Sequence, residues 1–109
     1  MNKSLEKRIE QSKNILKKYP HRIPIILKKY NSRDPDLDKY KYLASNDMTI
    51  SALLYHIRKK TKLKQDQAIF LSVNGVIYHS NELLKTIYDK NKDLDNFLYI
   101  TYSIENTFG

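Results

Sequence analysis

The apolar residues of this chain change their period in a fixed order, and that order restricts the possible folds more than any other feature. Leu5, Ile9, Ser12 and Leu16 fall at i, i+4, i+7 and i+11, with Ile15 and Tyr19 beside them, so residues 5–18 predict a helix with one apolar face. Ser4 is placed to cap it, Glu6 sits in the first turn, and Lys17 and Lys18 sit in the last, as the helix dipole favours. Pro20 stops the helix. A strand is expected over residues 23–30, with Pro24 near its start at an edge, where a missing amide is tolerated. Residues 31–38 (NSRDPDLD) read as loop, and residues 39–44 (KYKYLA) as a short two-faced strand in which lysine and tyrosine alternate. Thr49 is expected to cap a second helix carrying Ile50, Leu53, Leu54 and Ile57, with Arg58, Lys59 and Lys60 in its last turn. Residues 68–73 (AIFLSV) and 76–78 (VIY) flank Asn74-Gly75, a strong signal for a two-residue hairpin turn. A short helix with Leu83, Leu84, Ile87 and Tyr88 and a last strand over residues 97–103 complete the chain.

The order is therefore helix, two strands, helix, two strands, helix, strand. Two hairpins around a helix, closed by a final strand, match the ubiquitin-like β-grasp, an α+β fold, here with one added N-terminal helix and a mixed sheet of four to five strands. In that topology the last strand lies centrally and parallel to the first, and the run FLYITY suits a strand covered on both faces. The expected divisions are a helical extension over 1–20, the β-grasp domain over 21–104 and a conjugation tail over 105–109.

Composition narrows the function classes. A length of 109 residues is enough for one core, and 29% charged with 40% apolar residues indicates a globular chain. No apolar run approaches the length of a bilayer span, and the charged stretch from Lys3 to Arg8 argues against a secretory signal. Cysteine is absent, which excludes disulfides, thiolate metal sites and a cysteine nucleophile. The net charge of +8 favours anionic partners without choosing among acidic peptides, lipid headgroups and nucleic acid.

Only two glycines occur. Gly75 has a backbone reason in the hairpin turn. Gly109, five positions past Ile104, has none. A frayed end that happens to finish in glycine is one reading. The other is chemical: a carboxylate that is activated as an acyl-adenylate, passed to thiols and joined to an amine must thread narrow channels, and glycine offers the least hindered carbonyl.

Residues 17–24 (KKYPHRIP), Asp36-Leu37-Asp38-Lys39, Lys41-Tyr42-Leu43, Ile57-Arg58-Lys59-Lys60, residues 97–103 (FLYITYS) and the closing residues 105–109 (ENTFG) resemble the GABARAP-type autophagy modifiers over nearly the whole chain. The resemblance implies conjugation of Gly109 to phosphatidylethanolamine, with Phe108 read by a processing cysteine protease and with E1-like and E2-like enzymes as partners. It also implies capture of receptor peptides carrying an aromatic-x-x-aliphatic motif, added as a strand beside the second strand. The positions that match the aromatic pocket are Ile15, Pro24, Lys41, Leu43 and Phe97. Those that match the aliphatic pocket are Tyr42, Ala44, Met48, Leu53 and Ile57. Arg22, Lys39 and Arg58, with Lys41, would meet acidic residues flanking the motif. From periodicity alone, Ile15, Leu43, Leu53 and Phe97 read equally well as core. A monomer is implied, cytoplasmic when free and on autophagosomal or related membranes when lipidated.

The chain departs from the family pattern in several places. Few residues precede the first helix, and the loop at residues 33–36 is one residue short. Gln11 stands for an acidic residue, Ser45 for proline, Leu53 for phenylalanine, His56 for an aliphatic residue and Ser72 for an aromatic one. Two rival classes share some of these features. A modifier of protein amines would use the same tail chemistry. A nucleic-acid-binding domain would use Lys59, Lys60, Lys62 and Lys64 with the nine tyrosines, but the tyrosines follow core spacing and no RNP-like, KH or zinc pattern is present, so no nucleic-acid partner is expected. An enzyme is disfavoured because His21, His56 and His79 lie on separate elements and no glycine-rich phosphate loop exists. No cofactor or metal is expected.

Overall fold

A computed structural model of the chain describes residues 3–61 and 63–106. The elements are α1 (Lys3–Lys18), β1 (Arg22–Lys29), β2 (Lys41–Ser45), α2 (Ile50–Lys60), β3 (Gln67–Val73), β4 (Val76–Ile77), α3 (Leu84–Asn91) and β5 (Leu98–Asn106). They form a five-stranded mixed sheet in the order β2-β1-β5-β3-β4, with β1 and β5 parallel and the other pairs antiparallel. The ubiquitin-like α+β fold expected from the element order is the one observed.

Alternation sorts the strands' side chains onto two faces. Ile23, Ile25 and Leu27 of β1, Ile69, Leu71 and Val73 of β3, and Leu98, Ile100 and Tyr102 of β5 are all buried and pack with Ile50, Leu53 and Ile57 of α2 and Leu84, Ile87 and Tyr88 of α3. Each fully buried aliphatic side chain here contributes about 1.5–3 kcal/mol of transfer free energy. Among the described residues, none of α1 belongs to this core. Pro24 and Phe97, though buried, stand outside it.

Local chemistry explains the element ends. Thr49 caps α2, its side chain accepting from the Ala52 amide at 3.2 Å. Asn74 and Gly75 both take positive φ, 51° and 82°, the geometry that joins two twisted strands with two residues. A Cβ on Gly75 would meet nothing within 4 Å, so glycine is favoured there by its backbone angle and not by space.

Five expectations need correction. Ser4 does not cap α1 but lies inside it, because the helix already includes Lys3; its Oγ accepts from Arg8 Nη1 at 2.8 Å. Leu83 is the residue before α3 and exposed, held extended by a bridge to Thr49 while Leu84 donates its amide to the Met48 carbonyl at 2.9 Å. The short strand begins at Lys41 and ends at Ser45, although Leu27 already donates to the Tyr40 carbonyl at 2.8 Å. β1 is not an edge but lies between β2 and β5. Pro24 is tolerated because the Leu27 bond directs odd-numbered β1 amides to β2, so the Pro24 nitrogen faces the β5 side, one residue before that pairing starts at Ile25 and Leu98. Lastly, β5 carries the chain beyond residue 104, pairing Glu105 with Ala68 and Asn106 with Gln67, so the tail boundary moves by two residues.

Candidate functional site

Nothing among the described residues pairs with the outer side of β2, the strand at one end of the sheet. Leu27 donates to the Tyr40 carbonyl, and Asn46 to the His21 carbonyl at 3.1 Å, so even-numbered amides along this stretch point inward to β1. By the period of two, the amides of Lys41, Leu43 and Ser45 point outward to the open margin. The side chains split as well. Leu43 stands opposite Pro24, on the α1 side; Tyr42 and Ala44 stand opposite Ile25 and Ile23, on the α2 side.

A cavity flanks the margin on each side. The one between α1 and β2 has a volume of about 420 Å³ and brings together all five residues assigned to the aromatic pocket: Ile15, Pro24, Lys41, Leu43 and Phe97. Phe97, only 3% exposed, forms its floor with Pro24, and Gln11 and Asn14 of α1 complete the wall. The cavity between β2 and α2 has a volume of about 230 Å³ and gathers Tyr42, Ala44, Met48 and Leu53 of the aliphatic set, with His56 beside them. Ile57 does not join them. It is fully buried in the core, on the same face of α2 as Leu53 but one turn further along.

Arg22, Lys39 and Lys60 line the second cavity, Lys39 and Lys41 line the first, and among the described residues neither lining contains an acid. Lys39 spans both, its Nζ 5.0 Å from the centre of the Tyr42 ring. Burial raises the Tyr42 phenol above its usual pKa, with Asp38 adding to the effect. Arg58 is absent from both linings; its guanidinium donates to the Gln67 backbone carbonyl at the start of β3. Gly109 and Phe108 lie outside the described residues.

Sequence reasoning missed the group that joins the first cavity's wall to its floor. Asp95, in the loop between α3 and β5, is 2% exposed. Its Oδ1 accepts the Phe97 amide at 2.9 Å, and its Oδ2 accepts from Arg8 Nε of α1 at 3.0 Å and from the Tyr99 hydroxyl. Burial, then the hydrogen bond to Asp95, pushes the Tyr99 phenol up to about 12. A signal was available: Arg8 lies three residues after Leu5 and four before Ser12, on the apolar face of α1, where a charge calls for a partner.

Comparison with known proteins decides the family. Residues 7–109 match the family model described as autophagy protein Atg8, ubiquitin like. The chain belongs to the Atg8 family. It is 46% identical to autophagy-related protein 8e of Arabidopsis thaliana, over 100% of this chain and 90% of that protein. It is also 46% identical to autophagy-related protein 8 of Mycosarcoma maydis, over 97% of this chain and 91% of that one. Among solved structures, Trypanosoma brucei ATG8 superposes with a TM-score of 0.86 at 37% identity, covering 96% of this chain and 91% of that one. Plasmodium falciparum Atg8, solved in complex with a Plasmodium falciparum Atg3 peptide, superposes with a TM-score of 0.81 at 29% identity, covering 92% and 89%. As an Atg8-family chain it is an autophagy protein of the ubiquitin-like modifier type. None of the described helices is long and apolar enough to cross a membrane.

Proposed function

We infer that this chain is joined through the Gly109 carboxylate to the amine of phosphatidylethanolamine and, once anchored, captures aromatic-x-x-aliphatic peptides along the margin of β2. The observation that carries the peptide reading is the pair of cavities on opposite faces of one edge strand. A peptide that adds as a strand directs successive side chains to alternate faces. Residues three apart differ by an odd number, so they land on opposite faces, one toward Phe97 and Leu43 and the other toward Met48 and Leu53. Two or four residues of separation would place both on the same face. That the Plasmodium falciparum relative was solved with a peptide supports a peptide partner for a chain of this fold.

The division of labour follows from chemistry. The outward amides and carbonyls of β2 supply hydrogen bonds that are blind to sequence, and the two cavities supply selectivity. Lys39, Lys41, Arg22 and Lys60 attract acidic flanks. Each such exposed pair is worth under about 1 kcal/mol, so the charges set association rate and choice more than affinity. At the tail, an E1-like enzyme would adenylate the Gly109 carboxylate, the acyl group would pass to enzyme thiols, and the lipid amine would displace the thiol to form an amide. A cysteine protease that cleaves this amide would return the chain from autophagosomal or related membranes to the cytoplasm.

Lys41→Glu and Leu43→Ala are each expected to weaken an aromatic-x-x-aliphatic peptide by about 1–3 kcal/mol. Isothermal titration with folded variants measures this, and curves that superpose on the parent's would remove the β2 assignment. Conjugation is tested separately, by incubation with the family's activating and conjugating enzymes, ATP and phosphatidylethanolamine liposomes. A membrane-bound adduct is expected. Attachment only to protein lysines would transfer the chain to the other class of modifier.

A further inference from the structure

We propose that Asp95 is a positioning residue for the α1-side cavity, acting through Arg8 to set how far α1 stands from the sheet. This rests on the peptide-binding reading above. The cavity lies between two bodies held together in different ways. The sheet, α2 and α3 share one apolar core, which includes none of the described residues of α1, although Ser12 is itself fully buried. α1 continues into β1 through residues 19–21, which fixes its C-terminal end. Toward its N-terminal half, where Leu5 and Ile9 are half-buried and Ser12 is fully buried, the bond from Arg8 Nε to Asp95 Oδ2 at 3.0 Å ties α1 to the loop between α3 and β5.

The same carboxylate reaches the floor. Asp95 Oδ1 takes the Phe97 amide, and Phe97 is the buried ring beneath the cavity whose opposite wall is Gln11, Asn14 and Ile15 of α1. One buried anion therefore holds wall and floor at once. It is presented by a braced loop: Asn96 sits at a φ of 68°, and its carbonyl accepts the Tyr88 hydroxyl of α3 at 2.7 Å. At 2% exposure Asp95 has little access to water, so losing any of its three donors leaves a buried oxygen unsatisfied. Releasing Arg8 frees the α1 half of the cavity and leaves the α2-side cavity, which contains no α1 residue, as it was.

The test uses the full chain with two variants, Arg8→Met, which keeps the stem of a side chain already 39% exposed, and Arg8→Lys, which restores a cation. Asp95→Asn is a third variant, informative wherever it folds. Because the chain has no cysteine, Lys13→Cys on α1 and Lys90→Cys on α3 accept spin labels cleanly. The parent is expected to give one narrow interlabel distance, Arg8→Met a broader and longer distribution, and Arg8→Lys a return toward the parent. In peptide titrations, replacing the aromatic anchor with alanine is expected to cost the parent about thirtyfold and Arg8→Met under about threefold, while replacing the aliphatic anchor costs both the same. General destabilisation would reduce both anchors together. A folded Arg8→Met variant with the parent's distance, or with the full aromatic cost, overturns the proposal. If the parent ignores the aromatic anchor, the peptide-binding reading fails, and the label distance decides by itself whether Asp95 and Arg8 hold α1.

Discussion

A chain ending at Phe108 is expected to fold as the full chain does and to form no conjugate with phosphatidylethanolamine. The fold should be indifferent because, among the described residues, the last buried side chain of β5 is Tyr102, and the pairing with β3 reaches Asn106 without needing Gly109. The chemistry should not be indifferent. Adenylation and thioester transfer act on a terminal carboxylate in a confined channel, and truncation replaces an acyl group without a side chain by that of phenylalanine. The Cβ and ring then stand beside the carbonyl that the amine must attack. The expected loss is complete, unlike the graded losses at the peptide site. Incubation with activating and conjugating enzymes, ATP and liposomes, read on a gel beside a thermal melt, gives both halves. Persistent lipid adduct from the shortened chain would remove Gly109 from the mechanism.

Ile100→Ala is expected to lower unfolding free energy by about 2–5 kcal/mol, against a total that for a domain of this kind is about 5–15 kcal/mol. Ile100 is fully buried, at the middle of β5, which pairs with β1 on one side and β3 on the other. The cavity cannot collapse easily, because the strands that line it are fixed by ladder bonds and the helices above by Leu53, Ile57 and Ile87. Urea unfolding should show a lower midpoint with an unchanged slope. Leu43→Ala makes the informative contrast. Leu43 is half-exposed on an edge strand, so its loss should weaken peptide binding while changing stability far less. A small effect at Ile100 would mean that β5 is not the centre of the core.

These two positions also mark how far the sequence can be read. Local chemistry was legible wherever it is self-contained. Thr49 caps its own helix, Asn74-Gly75 closes its own turn, and the spacing of Ile50, Leu53 and Ile57 names the buried face without knowledge of what covers it. The element order then implied the β-grasp. The misreadings at Pro24 and Leu83 depended on a distant partner, whereas Ser4 was misread only because the helix begins one residue earlier. Pro24 suggested an edge because proline is excluded from paired amides; its nitrogen is in fact unpaired inside the sheet, since β5 starts one residue later. Leu83 has helical spacing but is held extended by Thr49. Arg58, expected beside a visiting peptide, lines neither cavity and donates to the Gln67 carbonyl, a bond that charge alone does not reveal.

The site divides in the same way. The alternation of β2 already separated Lys41 and Leu43 from Tyr42 and Ala44, and the resemblance to known modifiers supplied which neighbours to group with each. Ile57 was grouped with Leu53 because helical spacing places both on one face of α2, without saying which of these two buried side chains borders the cavity. Asp95 was invisible for a different reason. A buried acid in a polar loop looks like any loop acid until Arg8, 87 residues away in sequence, is brought against it.

A visiting strand is expected to add to the open margin of β2. Amide hydrogen exchange followed by nuclear magnetic resonance, with and without a saturating aromatic-x-x-aliphatic peptide, addresses it most directly. The outward amides of Lys41 and Leu43 should exchange freely in the unbound chain and become protected on binding, while those of Tyr42 and Ala44, already bonded to β1, change little. If peptide saturates the chain and the Lys41 and Leu43 amides still exchange at their unbound rates, the peptide does not pair with this strand, and the account is wrong.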